Sequence, residues 1–87
     1  MQVSTDTAIK IVHGKHSDFT PETDKKHVKA STWVVLVERV FRHTPTNRFY
    51  KIRWGDPLFE FRSETFESDP VELVEVKPHL QRVFIEA

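Results

Sequence analysis

The chain has 87 residues, equal numbers of acidic and basic side chains, and no cysteine. Its length restricts it to one domain: a chain this short hides only roughly 60–65% of its unfolded surface and keeps a stability margin of about 5–10 kcal/mol. The missing cysteine excludes a disulfide framework, a thiolate metal site and a thiol nucleophile. With 38% hydrophobic and 30% charged residues, the composition is that of a soluble globular domain rather than a disordered chain.

Taken in order, residues 8–12, AIKIV, alternate well enough to predict a short edge or first strand with Ile9 and Ile11 on one face. Residues 13–30 are polar, charged and interrupted by Pro21, and are expected to be one long polar loop. Within it, Thr20-Pro21-Glu22-Thr23 offers a helix start, with Thr20 as N-cap and Pro21 at the first helical position.

Residues 32–43 are rich in β-branched and aromatic side chains and predict a strand. Trp33, Val35 and Val37 share one face, and Val34, Leu36, Glu38, Val40 and Arg42 the other. Both faces are apolar near Trp33, so that end is expected to be covered on both sides while the Phe41 end projects into solvent. His43-Thr44-Pro45-Thr46-Asn47-Arg48 carries turn chemistry: Pro45 presets φ for a type I turn, and Asn47 tolerates the left-handed conformation that returns the chain. The return strand, residues 49–54, sorts Tyr50, Ile52 and Trp54 to one face and Phe49, Lys51 and Arg53 to the other.

Gly55-Asp56-Pro57 reads as a second turn and residues 58–62 as a strand with Phe59 and Phe61 on one face. Residues 63–69 bend the chain and let Phe66 plug the core. Residues 71–76 form a further strand whose pattern slips phase between Leu73 and Val74, as a β-bulge would require. Pro78 breaks the chain before a last strand within residues 80–85. Short strands separated by regular turn signals predict a mainly β fold: one small antiparallel sheet of five to six strands, curled or barrel-like, with at most one short helix.

Few catalytic platforms can be drawn. The only glycines are Gly14 and Gly55, which rules out a glycine-rich phosphate loop. His13 and His16 form an H-x-x-H near Asp18, Glu22, Asp24 and His27, but in a polar loop the expected state is solvated side chains rather than a zinc site. No carboxylate pair is held in a shared cleft, and no elbow motif surrounds a serine. The chain is read as a non-enzyme without cofactor.

The charge distribution is more informative. Beyond Glu38 the hairpin holds Arg39, Arg42, Arg48, Lys51 and Arg53 interleaved with Phe41, Phe49, Tyr50 and Trp54. In the C-terminal third, acids outnumber bases. The basic aromatic hairpin supports two functional readings: a protein-binding surface built from Arg42, His43, Arg48, Phe49 and Lys51, or a module that binds single-stranded nucleic acid by stacking and phosphate contacts. It also supports a structural one, in which the cations pair with the acidic strands of the same chain.

The run from Trp33 through E-R-V-F-R-H-x-P-T-x-R-F-Y-K-I-x-W to V-E-L-V-E-V-K-P resembles the short accessory proteins of tailed bacteriophages. That resemblance implies a small modulator or inhibitor of a host protein, acting in the host cytoplasm, and it transfers no functional residue. The leading expectation is a cytoplasmic, non-enzymatic protein-binding chain. Nucleic acid is the alternative partner, no membrane contact is expected, and a homodimer is compatible with either reading. No apolar run approaches the roughly 18 residues that cross a bilayer, and the start MQVSTDTAIKIV lacks the pattern of a secretory signal.

Overall fold

A computed structural model describes residues 1–30, 34–57, 63–78 and 84–86. In chain order the elements are β1 (Gln2–Val3), α1 (Thr5–Val12), β2 (Phe19–Pro21), β3 (Lys26–Ala30), β4 (Val34–His43), β5 (Arg48–Pro57), β6 (Val71–Glu72), β7 (Val74–Pro78) and β8 (Phe84–Glu86). The main sheet is antiparallel and runs β2-β4-β5-β7-β8, with β3 also paired to β4. β2 and β3 occupy successive stretches of one edge of β4, so six strands make a sheet five positions wide. β1 and β6 form a separate two-stranded sheet. The fold is mainly β with one short helix, and of the curled or barrel-like forms expected from sequence its sheet is not closed into a barrel.

The segment predicted as a first strand is a helix. Ser4 caps it, its side chain accepting the Thr7 amide at 3.2 Å while the Ala8 amide donates to its carbonyl at 2.9 Å. Asp6 lies in the first turn and Lys10 in the last, each suited to the helix dipole. Ala8, Ile11 and Val12 fall at i, i+3 and i+4 and are all buried, a helical rather than an alternating pattern. Gly14, at φ 73°, takes the left-handed conformation just past the C-cap His13, and its amide donates to the Ile11 carbonyl.

The stretch expected to be a long loop contains two strands, and Thr20 and Pro21 lie in β2 rather than at a helix start. Between the strands the chain remains tied to β4. The Glu22 amide donates to the Val40 carbonyl at 2.9 Å, and the Val40 amide donates to Thr23 Oγ1 at 3.0 Å. This ribbon carries no alternation because all five residues of β3 are exposed, so only Phe19 anchors it by burial.

The hairpin forms as predicted, with His43 opposite Arg48 and Asn47 at φ 56°. Two details differ. Phe41 is fully buried instead of projecting into solvent, because Phe19 and α1 cover the distal end of the sheet. Gly55, Asp56 and Pro57 are not a turn; they extend β5 and pair with Leu36, Val35 and Val34. The predicted strand at 58–62, Trp33 and residues 80–83 lie outside the described residues.

The phase slip at Leu73 and Val74 is a change of sheet, not a bulge. β6 pairs with β1, β7 pairs with β5, and Leu73 between them donates its amide to the Met1 carbonyl at 2.7 Å. Residues 67–70 bend, the Asp69–Pro70 peptide is cis, and Phe66 packs against the core as expected.

The core lies on one side of the main sheet. Val37, Phe41, Tyr50, Ile52 and Trp54 supply its floor, Ala8, Ile11 and Val12 of α1 its roof, and Val71 and Leu73 one wall. Directly opposed residues of antiparallel strands share a face, so the register also defines the other side of the sheet.

A cationic face opposite the core

The second face is built from cross-strand rows. Thr20, Arg42, Phe49, Val76 and Glu86 make one; Val40, Lys51 and Val74 the next; then Lys26, Glu38 and Arg53; then Lys29, Leu36 and Gly55; and Val34 with Pro57. Val40 and Val76 are buried yet lie outside the core cluster, so this side has its own small apolar floor. Its strands carry the cations Lys26, Lys29, Arg42, Lys51 and Arg53 against the carboxylates Glu38 and Glu86. In a chain with no net charge, this is a local excess of three positive charges among the described strand residues.

The five residues predicted as a binding site divide between the two faces. Arg42, Phe49 and Lys51 share the second face. His43 and Arg48 lie on the core side. There His43 packs against Phe19 at 4.8 Å between ring centroids and against Tyr50 at 6.3 Å, and its Nδ1 meets Thr46 Oγ1 at 2.8 Å. Arg48 is 3.7 Å from Glu75. His43 is thus part of the aromatic plug at the end of the core, together with His16, whose ring meets Phe19 edge-on.

The cations also differ in what already holds them. Lys51 pairs with Glu86 at 3.3 Å, and Arg53 pairs with Glu38 across the hairpin at 2.9 Å. Arg39 points to the core side, where its Nε donates to the Thr23 carbonyl and its guanidinium lies over the Phe41 ring. Arg42 alone among the described arginines has neither an ion pair nor a side-chain hydrogen bond, and its Nε is shielded from solvent without an acceptor. The structural reading of the hairpin, in which its cations pair with the acidic C-terminal strands, therefore holds for Arg48 and Lys51; Arg53 pairs within the hairpin instead, Arg39 bonds to the Thr23 carbonyl, and Arg42 has no such partner.

Of the described Phe, Tyr and Trp rings of the hairpin, Phe41, Tyr50 and Trp54 are buried and Phe49 is half-exposed. Lys26 and Lys29, absent from the predicted site, join the second face through the β3–β4 register. No hydropathy signal could have found them, because a fully exposed edge strand has no buried side to reveal its period.

Two depressions flank the return strand. A cleft of about 320 Å³ is lined by Lys51, Arg53, Glu67, Glu72, Val74 and Glu86 among others, and its Ser68 hydroxyl donates to the Pro70 carbonyl at 2.9 Å. A smaller apolar one of about 170 Å³ lies over Val34, Leu36, Gly55 and Phe66. Of the histidines singled out as metal candidates, His13 lies 2.5 Å from Glu64 and His16 Nδ1 accepts the Asp18 amide at 3.1 Å. No group of three or more metal-ligating side chains is gathered among the described residues, and no described helix is long and apolar enough to cross a membrane.

No protein-family model, no curated protein and no solved structure matches the chain.

Proposed function

We propose that this chain is a small, non-enzymatic binding protein that engages another protein through the second face of its sheet, with Arg42 as the anchor. The observation that supports this is the state of Arg42. Arg42 is half-buried and its Nε is shielded from solvent without an acceptor, a cost of about 1–3 kcal/mol for that donor that a partner's acceptor would offset. Arg42 sits opposite half-exposed Phe49, with Val40 and Val76 beside them, the mixture of arginine, aromatic and aliphatic side chains from which interface hot spots are built.

Single-stranded nucleic acid is the weaker candidate. Binding without sequence preference needs successive exposed rings for base stacking, and the described rings of the hairpin other than Phe49 are in the core. The resemblance to phage accessory proteins belongs to the same proposal: the partner is then a host protein and the site of action the host cytoplasm.

The test is differential capture from host lysate on immobilised chain. Wild type and Arg48→Ala should retain the same protein, and Arg42→Ala should lose it by about tenfold or more, as for a hot-spot arginine. Identical capture by all three chains would remove Arg42 as anchor. Light scattering of the purified protein separates the case in which the partner is a second copy.

A further inference from the structure

The unpaired cations of the second face are not scattered. Lys29, Lys26 and Arg42 lie at the levels of Leu36, Glu38 and Arg42 along β4, and none of the three has an ion pair among the described residues. Their separations of two and four strand residues correspond to about 7 and about 13 Å at roughly 3.3 Å per residue. Both are whole multiples of the two-residue repeat at which an extended chain presents side chains on one side. On the far half of the same face, Lys51 and Arg53 are already neutralised by Glu86 and Glu38. Lys29, Lys26 and Arg42 therefore span a strip of about 20 Å along β3 and β4, roughly six extended residues in length, with Glu38 and the exposed Glu22, tied to Val40, at levels between Lys29 and Arg42.

We infer that this strip binds an acidic segment of a partner protein in extended conformation, its carboxylates at alternate positions on the side that meets the sheet. This rests on the protein-binding reading of the same face and adds the chemistry of the partner. The carboxylates meet Lys29, Lys26 and Arg42, Arg42 offering the planar fork that suits a carboxylate. The intervening side chains of the segment point away from the sheet. A nucleic-acid backbone shares the charge, but the described face offers too few exposed rings for its bases. The segment lies on the face and does not add to the β3 edge, where the register break between His27 and Lys29 disrupts any regular ladder.

The probe is a labelled octapeptide of alternating Glu and Val, followed by fluorescence anisotropy against the full chain. Controls are the same peptide with Gln for Glu and a single-stranded oligonucleotide of equal charge. We expect the Glu peptide to bind, the Gln peptide to bind at least about tenfold more weakly, and binding to fall as salt rises and screens the strip. The double variant K26Q/K29Q should weaken binding about tenfold. K10Q/K15Q, which removes the same charge from the helix side, should leave it within about twofold.

Equal losses in the two double variants, or equal binding of the Gln peptide, would overturn the inference. So would an oligonucleotide that binds as tightly as the peptide and loses affinity in K26Q/K29Q. Binding lost in Arg42→Ala but unchanged in K26Q/K29Q refutes the strip and leaves the anchor standing, whereas no change in either variant removes both. Circular dichroism of each variant confirms that the sheet is retained.

Discussion

Arg42 and Gly55 show how single residues on one face can serve opposite ends. Arg42 keeps a buried donor unsatisfied, so replacing it with an apolar side chain of similar length should not weaken the fold. Arg42→Met is expected to leave unfolding free energy unchanged or raise it by up to about 1–2 kcal/mol while abolishing partner capture, as read from urea midpoints at constant slope. Gly55 is closed in by its neighbours: an added Cβ would collide with Thr65 Oγ1 and touch Val34 Cβ. Its amide and carbonyl exchange hydrogen bonds with Thr65 at 2.8 and 3.1 Å, which holds the two backbones together. Gly55→Ala should cost about 1–3 kcal/mol, and Thr65→Ala in the same chain should recover part of that loss, a non-additivity measurable in a double-mutant cycle.

Helix α1 depends on its cap and its buried side more than on intrinsic propensity, since eight residues are too few to be helical alone. Ser4→Ala should cost about 1 kcal/mol by freeing the Thr7 amide, and Ile11→Ala about 2–5 kcal/mol by opening a cavity under the sheet, both read by chemical denaturation. The same helix shows why local patterns mislead. Ile9, Ile11 and Val12 are β-branched, and Ile9 and Ile11 alternate with Lys10, which favours a strand; Ser4, Asp6 and Gly14 favour a helix, and the apolar surface of the sheet settles the matter. β2 and β3 erred in the other direction. Their exposed residues carry no period, and their strand character comes from the ladder they complete along β4. The hairpin was legible because each of its signals was local: Pro45, Asn47 and the alternation of Tyr50, Ile52 and Trp54.

Across the whole molecule, a neutral chain divides into an apolar core under one side of the sheet and a positive surface on the other. The ion pairs Arg48–Glu75, Lys51–Glu86 and Arg53–Glu38 each have at least one partner well exposed to solvent, so each contributes at most about 1 kcal/mol. Raising salt should therefore shift the unfolding free energy by less than about 1–2 kcal/mol while suppressing binding of an acidic peptide. With helix, main sheet and small sheet sharing one cluster, unfolding should be a single transition, its midpoint the same by tryptophan fluorescence and far-ultraviolet circular dichroism.

Sequence alone decided the β-hairpin, its turn and the sorting of Tyr50, Ile52 and Trp54 to one face, because turn chemistry and two-residue alternation are set by neighbours along the chain. It also restricted the candidate site to the hairpin's cations and rings. Long-range contacts decided the rest. They turned residues 5–12 into a helix, moved β6 and β7 into different sheets at Leu73, drew His43 and Arg48 to the core side, and satisfied Lys51 and Arg53 with carboxylates distant in the chain. Charge pairing acts through space, so a run of basic residues cannot reveal which member stays free. In this fold that residue is Arg42, with Lys26 and Lys29 brought alongside by a strand whose sequence reads as loop.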